Sequence, residues 1–484
     1  EIMNAISRAG STIWNKRKSL PMPIRMAAGW ARRKADPHWL WESKEFQNYF
    51  DFLQKSQWWS LEELKAYQLE QLKELVKFSY EKVPYYQRSF REAGIVPSDI
   101  KTLEDIQLLP VLTKDDVRSH AEEFIPVGID PKTLRVWVTG GTSGKPLKVY
   151  QDLFYCCMIE EAFSLRQRLW TDYKQYDRKV ALTRDPSKRT RKCWDYNSTE
   201  NELVLSSFDL TEKNMFEYVE LIHKFKPRIV FGYPSALEIF ARFLKRNDLF
   251  MPPLQGIFCG SEALFPGQRI LIESAFNCKV FSSYGMSERV ADATECEEHN
   301  GYHISMEYGV FELLDKNYEP ITAPEISGTV VGTGFHNNTM PLIRYQMFDV
   351  GVYSGEKCAC KRQSPLIKAF KGRVREYFVG KSGKLMTLQL IWAGRHPVWS
   401  KIREMQFVQE RKGEVLAKIV RAPKYSDEEV MRELREEVGK ILTEDEYKID
   451  FEFVDQMPLT HRGKLNFLDQ RIPLDFEAIS DAGY

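Results

Sequence analysis

The sequence predicts an α/β protein with a large N-terminal part of several subdomains and a small α+β C-terminal domain. Its 484 residues exceed the roughly 250–300 at which a single hydrophobic core stops growing, so more than one domain is expected. After Val136, short β-branched or aromatic runs alternate with turns and helical stretches, which is typical of α/β layering. After Gly372 the pattern changes to strand-like runs around one amphipathic helix, which indicates a compact α+β module.

The element pattern divides the chain into three parts. From Trp58 to Phe90 the leucines and aromatics have a helical period, and Pro84 is predicted to end that helix. Strands are predicted over LRVWVT, RIVFGY, QGIFCG and CKVFSSYG, and later over EMQFVQE, VLAKIV and IDFEFV around the helix SDEEVMRELREEVGKIL. We therefore predict a mainly helical region over residues 1–100, an α/β core over 101–371 and a C-terminal domain over 372–484.

Composition and charge exclude several classes of protein. Hydrophobic residues make up 43 % and charged residues 28 %, a globular mix that excludes a largely disordered or fibrous chain. The 69 Lys and Arg nearly cancel the 68 Asp and Glu, so no nucleic-acid partner is expected. The sequence has no apolar window of about 18 residues and no secretory signal, which favours a cytoplasmic location. Its eight cysteines are too sparse for a disulfide scaffold, so they indicate reduced thiols or metal ligands.

Two segments are locally basic. From Arg8 to Lys34 there are eight Lys or Arg and no acid, interleaved with apolar residues that include Trp14 and Trp30. This segment is either a solvated helical face or a peripheral docking element for an anionic membrane, here the inner membrane surface. The segment Arg178–Lys192 holds seven Lys or Arg. It is either a solvated loop or a local positive patch that receives an acidic ligand.

A glycine-rich loop follows the first predicted strand, over Thr139–Pro146. Three glycines let backbone N–H groups converge on an anion, and the hydroxyls add neutral donors, so the loop is suited to phosphates. A Walker P-loop is excluded, because it needs glycine where Thr139 stands and Ser or Thr where Pro146 stands. The alternative is a flexible hairpin or surface loop.

Three further segments carry polar groups at predicted strand ends or turns. Ser282–Glu288 combines hydroxyls, a ring that can stack on a base and a carboxylate that can hold Mg²⁺, although a strand-to-helix turn capped by Ser287 is the alternative. Asp349 follows the run PLIRY and could accept from ribose hydroxyls, or it is a turn residue. Lys464 is a lone lysine after Gly463, which taken alone indicates a solvated loop.

The order and spacing of these segments, with Gly260-Ser261-Glu262 and Gly372-Arg373, resemble the AMP-forming adenylating superfamily. That superfamily comprises acyl-CoA synthetases, luciferases and nonribosomal adenylation domains, and the resemblance runs from about Thr139 to the C-terminus. The segments GSEAL, YGMSE and PLIRY are most similar to the phenylacetate-CoA ligase branch and its CapK-type relatives, which are found beside polysaccharide genes.

The resemblance implies a role for each segment. It implies that Glu288 binds Mg²⁺, Asp349 holds the ribose and Arg373 helps to position the nucleotide near the hinge. Lys464 would bridge the substrate carboxylate and the α-phosphate from a mobile lid. The residues implied for the ATP phosphates are Thr139, Gly140, Gly141, Thr142, Ser143, Gly144 and Lys145. Those implied to line the adenine are Gly260, Ser261, Glu262, Ser283, Tyr284 and Gly285.

The implied activity is ATP-dependent conversion of a carboxylic acid to an acyl-adenylate with release of pyrophosphate. The acyl group would then pass to CoA or to an amine acceptor, as expected for a CapK-type role in decorating a polysaccharide. If it is not a solvated loop, the basic patch Arg178–Lys192 would receive the CoA phosphates or an acidic glycan acceptor. Aromatics near Phe231–Pro234 and Gly256–Phe258 favour an apolar or aryl acid. One departure, Gln346-Met347-Phe348 in place of the usual Arg-Thr-Gly, favours an alternative, a nucleotide-binding partner protein that has lost catalysis. A second, Glu376 in place of the commoner Asp, bears on the hinge, expected near Gly372–Glu376.

Four residues form a candidate metal site. Cys296, His303, Cys358 and Cys360 would supply three thiolates and one imidazole, a set that suits structural tetrahedral zinc, although the spacing fits no common zinc finger. The resembled branch often shows an EC…H…CxC arrangement, which this sequence reproduces. His299 is the rival for the fourth ligand, and reduced interior thiols are the alternative to a metal. The other cysteines, predicted to be buried small hydrophobes, are Cys156, Cys157, Cys193, Cys259 and Cys278.

Overall fold

The structure is a computed structural model of the 484-residue chain. It describes residues 22–35, 43–139, 147–184, 192–373, 377–383, 385–388, 391, 398, 401–458 and 465–472. The loop residues Gly140–Pro146, the hinge residues 374–376 and Lys464 lie outside this described part of the chain.

Ten α-helices lie in the described ranges. They are α1 (Met22–Ala35), α2 (Lys44–Ser56), α3 (Leu61–Lys82), α4 (Pro84–Glu92), α5 (Lys114–Ser119), α6 (Leu153–Leu169), α7 (Glu212–Phe225), α8 (Pro234–Arg246), α9 (Pro266–Phe276) and α10 (Asp427–Gly439). None of these described helices is both long and apolar enough to cross a bilayer.

Twenty strands lie in the same ranges. The first ten are β1 (Arg135–Thr139), β2 (Leu147–Gln151), β3 (Lys179–Arg184), β4 (Trp194–Asn197), β5 (Glu202–Ser206), β6 (Ile229–Gly232), β7 (Gly256–Gly260), β8 (Val280–Gly285), β9 (Asp292–Glu295) and β10 (Tyr302–Ile304). The others are β11 (Gly309–Leu314), β12 (Ser327–Gly334), β13 (Tyr345–Tyr353), β14 (Leu366–Arg373), β15 (Tyr377–Val379), β16 (Leu385–Thr387), β17 (Ile402–Arg411), β18 (Glu414–Arg421), β19 (Lys448–Phe453) and β20 (Leu468–Gln470).

The N-terminal helices α3 and α4 begin at residues that are typical of helix starts. Ser60 and Glu63 form a reciprocal capping box at the start of α3. The predicted end of the helix at Pro84 is confirmed, since α3 ends at Lys82, and Pro84 is the first residue of a second helix, α4. The reason is that proline is tolerated in a first turn, where its missing N–H would have had no partner.

A twelve-stranded mixed sheet organises the large part of the molecule, in the order β11-β12-β13-β14-β10-β9-β8-β7-β6-β3-β5-β4. Strands β5, β3, β6, β7 and β8 run parallel, and β9 joins β8 in the antiparallel sense. Helices α7, α8 and α9 pack on the parallel strands through one hydrophobic core, as expected for α/β layering. Helices α2 and α6 contribute to another core, which contains Phe258 and Phe281.

The C-terminal domain is a four-stranded sheet in the order β19-β18-β17-β20, and its core includes apolar residues of α10. Ser426 caps α10 by accepting a hydrogen bond from the Glu429 amide. The domain contacts the large part through Phe265, whose side chain belongs to the C-terminal core and packs against the Phe467 ring. The Arg403 guanidinium also donates to the carbonyl oxygen of Leu210, at 3.5 Å. The α+β C-terminal module expected from the sequence is confirmed.

Candidate nucleotide and acid site

The predicted adenine-lining segments lie at the carboxyl ends of two neighbouring parallel strands. Gly260 ends β7 and is the register partner of Ser283 on β8. A Cβ on Gly260 would lie 2.7 Å from Ser283 Oγ and 3.1 Å from the Ser283 carbonyl oxygen, so a side chain there would require Ser283 to shift. Ligands of open α/β sheets bind outside such carboxyl ends. The structure therefore places Gly260 and Ser283 side by side at the edge where a nucleotide site is expected.

Ser261 and Glu262 continue from β7 into the turn above it. Ser261 has a positive φ of 65°, which is uncommon for a residue with a side chain. The Glu262 carboxylate accepts hydrogen bonds from the Ser235 amide at 2.9 Å and from its hydroxyl at 3.1 Å. Since Ser235 lies in the first turn of α8, Glu262 is held by a helix N-terminus, where negative charge is favourable.

Tyr284 and Asp349 are joined although they lie 65 residues apart. The Tyr284 hydroxyl donates to Asp349 Oδ2 at 2.7 Å, and its ring stacks on Phe370 with centroids 3.8 Å apart. Asp349 on β13 is the register partner of Arg373, the last residue of β14. Three separately predicted nucleotide-site positions are thus brought together by the pairing of β13 with β14 and by one hydrogen bond.

Glu288 lies three residues beyond the end of β8 and is 9 % exposed. The Tyr345 hydroxyl donates to its Oε1 atom at 3.3 Å. A carboxylate oxygen is a ligand that Mg²⁺ accepts, so this side chain fits the predicted role. No helix follows Ser287, whose carbonyl oxygen instead accepts from Gln151 Nε2 at 2.7 Å, so the alternative of a helix capped by Ser287 is wrong.

Several predicted site residues lie outside the described part of the chain. They are Gly140, Gly141, Thr142, Ser143, Gly144, Lys145 and Lys464. Thr139 ends β1 and pairs with Leu147 of β2, so the loop connects the two strands of an antiparallel hairpin. The backbone of Arg373 is described and its side chain is not. The roles of all these residues stay predictions.

The aromatic residues expected near the acid site form a ladder across three strands. The rings of Phe231, Phe258 and Phe281 are stacked in sequence, with centroids 5.3 Å and 5.2 Å apart. Phe258 is only 3 % exposed and packs in the core below α2 and α6. This ladder is consistent with an apolar floor, and an aryl acid stays a prediction.

A charged network that no sequence motif predicts lies beside the same strand ends. Arg166 on α6 donates to Glu307 Oε1 at 2.9 Å and to Ser305 Oγ at 3.0 Å. Ser305 in turn donates to Asp292 Oδ2 at 2.5 Å, and burial raises the pKa of Asp292 to about 7. Arg166 lies far along the chain from the other three residues, and none of the four belongs to a predicted motif, so only the tertiary structure could reveal the network.

The four predicted metal ligands do come together. One ligand atom from each of Cys296, His303, Cys358 and Cys360 lies within 4.8 Å of all the others. Cys296 Sγ is 3.5 Å from Cys358 Sγ, and Cys360 Sγ is 3.2 Å from His303 Nε2. His303 Nδ1 lies 3.2 Å from Ser364 Oγ, which orients Nε2 toward the thiols. Burial lowers the pKa of His303 to about 4, so its imidazole is neutral, the form that binds metals.

His299 and the five other cysteines remain to be placed. The ligand set of four described residues does not include His299, whose ring instead lies 4.6 Å from that of Phe281. Of the other cysteines, Cys156 and Cys259 are buried as predicted. Cys157, Cys193 and Cys278 are only partly buried, so the prediction of burial was wrong for these three.

Solved structures with a similar fold indicate the class of protein. The chain matches the crystal structure of 2-hydroxyisobutyryl-CoA ligase in the postadenylation state with a TM-score of 0.67 and 18 % identity, covering 86 % of this chain and 92 % of that one. The same ligase in complex with 2-HIB-AMP and CoA in the thioesterification state matches with a TM-score of 0.56 and 18 % identity, covering 85 % and 90 %. The fold is therefore that of the adenylate-forming CoA ligases, as the resemblance implied.

Sequence relatives then narrow the class. The chain is 27 % identical to Protein CapK of Staphylococcus aureus over 379 residues, which cover 76 % of this chain and 80 % of that protein. It is 26 % identical to phenylacetate-coenzyme A ligase of Thermus thermophilus over 346 residues, covering 66 % and 72 %. Residues 378–470 match the family described as the CapK C-terminal domain. The resemblance to the phenylacetate-CoA ligase branch and its CapK-type relatives is confirmed, and the chain has the fold and relatives of an AMP-forming ligase.

Proposed function

We propose that this protein activates a carboxylic acid with ATP, forming an acyl-adenylate and pyrophosphate. The observation that carries the proposal is the assembly of the predicted nucleotide residues at one edge of the central sheet, where Tyr284 bonds Asp349 and Gly260 abuts Ser283. The fold of adenylate-forming ligases supports it.

The chemistry explains the residue types that gather there. Attack of a carboxylate on an α-phosphate joins two anions, so the site must neutralise charge that moves onto pyrophosphate. Bound Mg²⁺ would supply part of that positive charge, and Glu288 is the carboxylate that would hold it. Asp349 would accept from ribose hydroxyls, and the Lys464 ammonium would stabilise the charge between the carboxylate and the α-phosphate. The Thr139–Lys145 loop would bind the β- and γ-phosphates through its N–H groups.

The acyl group would then pass to CoA or to an amine. The similarity to proteins named phenylacetate-coenzyme A ligase supports CoA, and the similarity to CapK keeps an amine on a polysaccharide as the second acceptor. Peripheral contact of the basic N-terminal segment with an anionic membrane is a separate proposal, and α1 carries its described part.

Acid-dependent exchange of labelled pyrophosphate into ATP tests the proposed activity. A panel should contain aliphatic, aryl, hydroxy and amino acids, because the substrate is not specified by the fold. We expect exchange that depends strongly on which acid is present. Exchange with none of them, while ATP still binds, would favour the alternative of a nucleotide-binding partner protein that has lost catalysis. Supplying CoA or an amine after adenylation then identifies the acceptor.

We also propose that Cys296, His303, Cys358 and Cys360 hold one structural zinc ion. Three thiols and an imidazole with a hydrogen-bonded second nitrogen are the donor set of closed tetrahedral zinc sites. The Sγ–Sγ separation of 3.5 Å between Cys296 and Cys358 is close to the ~3.7 Å that two ~2.3 Å Zn–S bonds at a tetrahedral angle would span. Elemental analysis should find about one zinc per chain. A stable, metal-free preparation of the wild-type protein would contradict the proposal.

A further inference from the structure

Asp292 lies at the carboxyl end of β8 without belonging to any predicted motif. It begins β9 and is the register partner of Gly285, the last residue of β8. Its Oδ1 atom lies 3.8 Å from where a Cβ on Gly285 would stand. Because side chains alternate along a strand, this is the face that also carries Ser283 and Phe281, opposite α6. Asp292 therefore lies beside the predicted adenine-lining segment, on the side of the aromatic ladder.

Only one oxygen of the Asp292 carboxyl group accepts a hydrogen bond from a described side chain. Oδ2 accepts the hydrogen bond from Ser305, whereas no described residue donates to Oδ1. The residue is partly exposed at this edge of the sheet, and Oδ1 is the carboxyl atom that has no described donor.

No described cation forms an ion pair with Asp292. The nearby Arg166 guanidinium pairs with Glu307, and Arg289 pairs with Glu160 at 2.6 Å. Glu160 also accepts from the Tyr308 hydroxyl at 2.5 Å. Both guanidinium groups are thus taken by other carboxylates, which leaves Asp292 as the carboxyl group of this network without a described ion pair.

We propose that Asp292 is a specificity residue of the acid site, where its Oδ1 atom accepts a hydrogen bond from a hydroxyl or amino group on the substrate acid. The inference rests on the proposed function and names its substrate class: an acid that carries a hydrogen-bond donor, rather than a plain hydrocarbon acid. The physical reason is the cost of an unpaired acceptor. When a substrate without a donor displaces water from this carboxyl oxygen, the free energy of the bound state rises. A site of this kind rejects analogues that lack the donor.

The test is pyrophosphate exchange with pairs of acids that share a carbon skeleton and differ by one hydroxyl or amino group. The wild-type protein should prefer the donor-bearing member of the pair in kcat/KM. In an assay about one pH unit above the Asp292 pKa of about 7, where the carboxyl group is mostly ionised, Asp292→Ala should reduce that preference by roughly 10–100-fold, the value of a hydrogen bond to a charged group, while exchange with the hydrocarbon acid is retained. Ser305→Ala is the matched control, because it removes the Oδ2 partner and leaves Oδ1; it should keep the preference.

Asp292→Asn separates the two donor types and serves if the alanine variant does not fold. Its amide oxygen still accepts from a hydroxyl, so selection of a hydroxy acid should survive, whereas selection of a cationic amino acid should fall with the lost charge. Equal kcat/KM for both members of every pair in the wild type, or a preference that Asp292→Ala leaves intact, would overturn the inference while the proposed function stands. Absence of exchange with every acid would instead overturn the proposed function and the inference with it.

Discussion

Two tyrosines hold the acids of the candidate nucleotide site in place. Tyr284 donates to Asp349 and Tyr345 donates to Glu288, and each pair links residues that are more than fifty positions apart. Such contacts fix the carboxylates before a ligand arrives, which lowers the conformational cost of binding. Each tyrosine therefore links β13 to the end of β8 or to the turn after it, although these two strands are not neighbours in the sheet.

Asp349→Ala should weaken ATP binding by roughly 10–100-fold, because a charged hydrogen bond to the ribose is worth about 1.5–3 kcal/mol. Titration calorimetry with ATP measures this directly. Asp315→Ala is a suitable control, since that carboxylate accepts only from backbone amides of its own turn. An unchanged dissociation constant for Asp349→Ala would remove the ribose role from this residue.

Cys358→Ser should lower zinc content and melting temperature together, by most of one equivalent and by several degrees, because structural zinc contributes directly to folding. Metal analysis and thermal unfolding on the same preparations give both values. Cys193→Ser, at a partly buried cysteine outside the cluster, should retain the metal. Loss of neither zinc nor stability in Cys358→Ser would show that the four residues form an ordinary reduced cluster.

At the scale of elements, α1 is attached to the edge strand β4 by one buried ion pair. The Arg25 guanidinium donates to Asp195 at 2.7 Å, and Met22 and Met26 pack against the core below. Ile24 remains 52 % exposed and Trp30 59 % exposed. A basic helix with exposed apolar residues is suited to an anionic lipid surface, although the same features occur on a solvated face.

Docking on anionic membranes predicts that the wild-type protein binds vesicles of mixed anionic and neutral lipid, more weakly as salt rises. Ile24→Asp should reduce that binding by roughly 10–100-fold, since burying an isoleucine contributes about 1.5–3 kcal/mol. Ile326→Asp is matched in residue and in its 52 % exposure, and it should leave binding unchanged. If all three proteins sediment with vesicles to the same extent, α1 is a solvated face.

The local sequence pattern predicted the parallel strands and the C-terminal elements. It did not predict which residues far apart in the chain pair with one another. The runs around Phe231, Phe258 and Phe281 became β6, β7 and β8, because continuous apolar runs are the signature of buried parallel strands. The pairing of Asp349 with Arg373 and the clustering of Asp292 with Arg166 depend on strand order and helix placement. Neither leaves a periodic signal in the sequence.

At the scale of the whole molecule, the predicted catalytic lysine belongs to the C-terminal domain, in the segment that connects two of its strands. Lys464 lies in the segment between β19 and β20, two strands on opposite edges of the four-stranded sheet. Phe265 and Leu210 of the large part contact this domain through Phe467 and Arg403. A lysine carried by a separate module can be delivered to the α-phosphate and withdrawn by rotation at a hinge near residues 372–376, which remains our prediction.

Pyrophosphate exchange by Lys464→Ala tests the central claim most directly. We predict that the substitution lowers exchange by about 10²–10³-fold, the effect of removing a preorganised charge from a transition state, while ATP binding changes little. Acyl transfer from supplied acyl-adenylate should remain near the wild-type rate, because the lysine acts in the first half-reaction. Wild-type exchange in Lys464→Ala would contradict both the role of the C-terminal domain and the adenylation mechanism proposed for this protein.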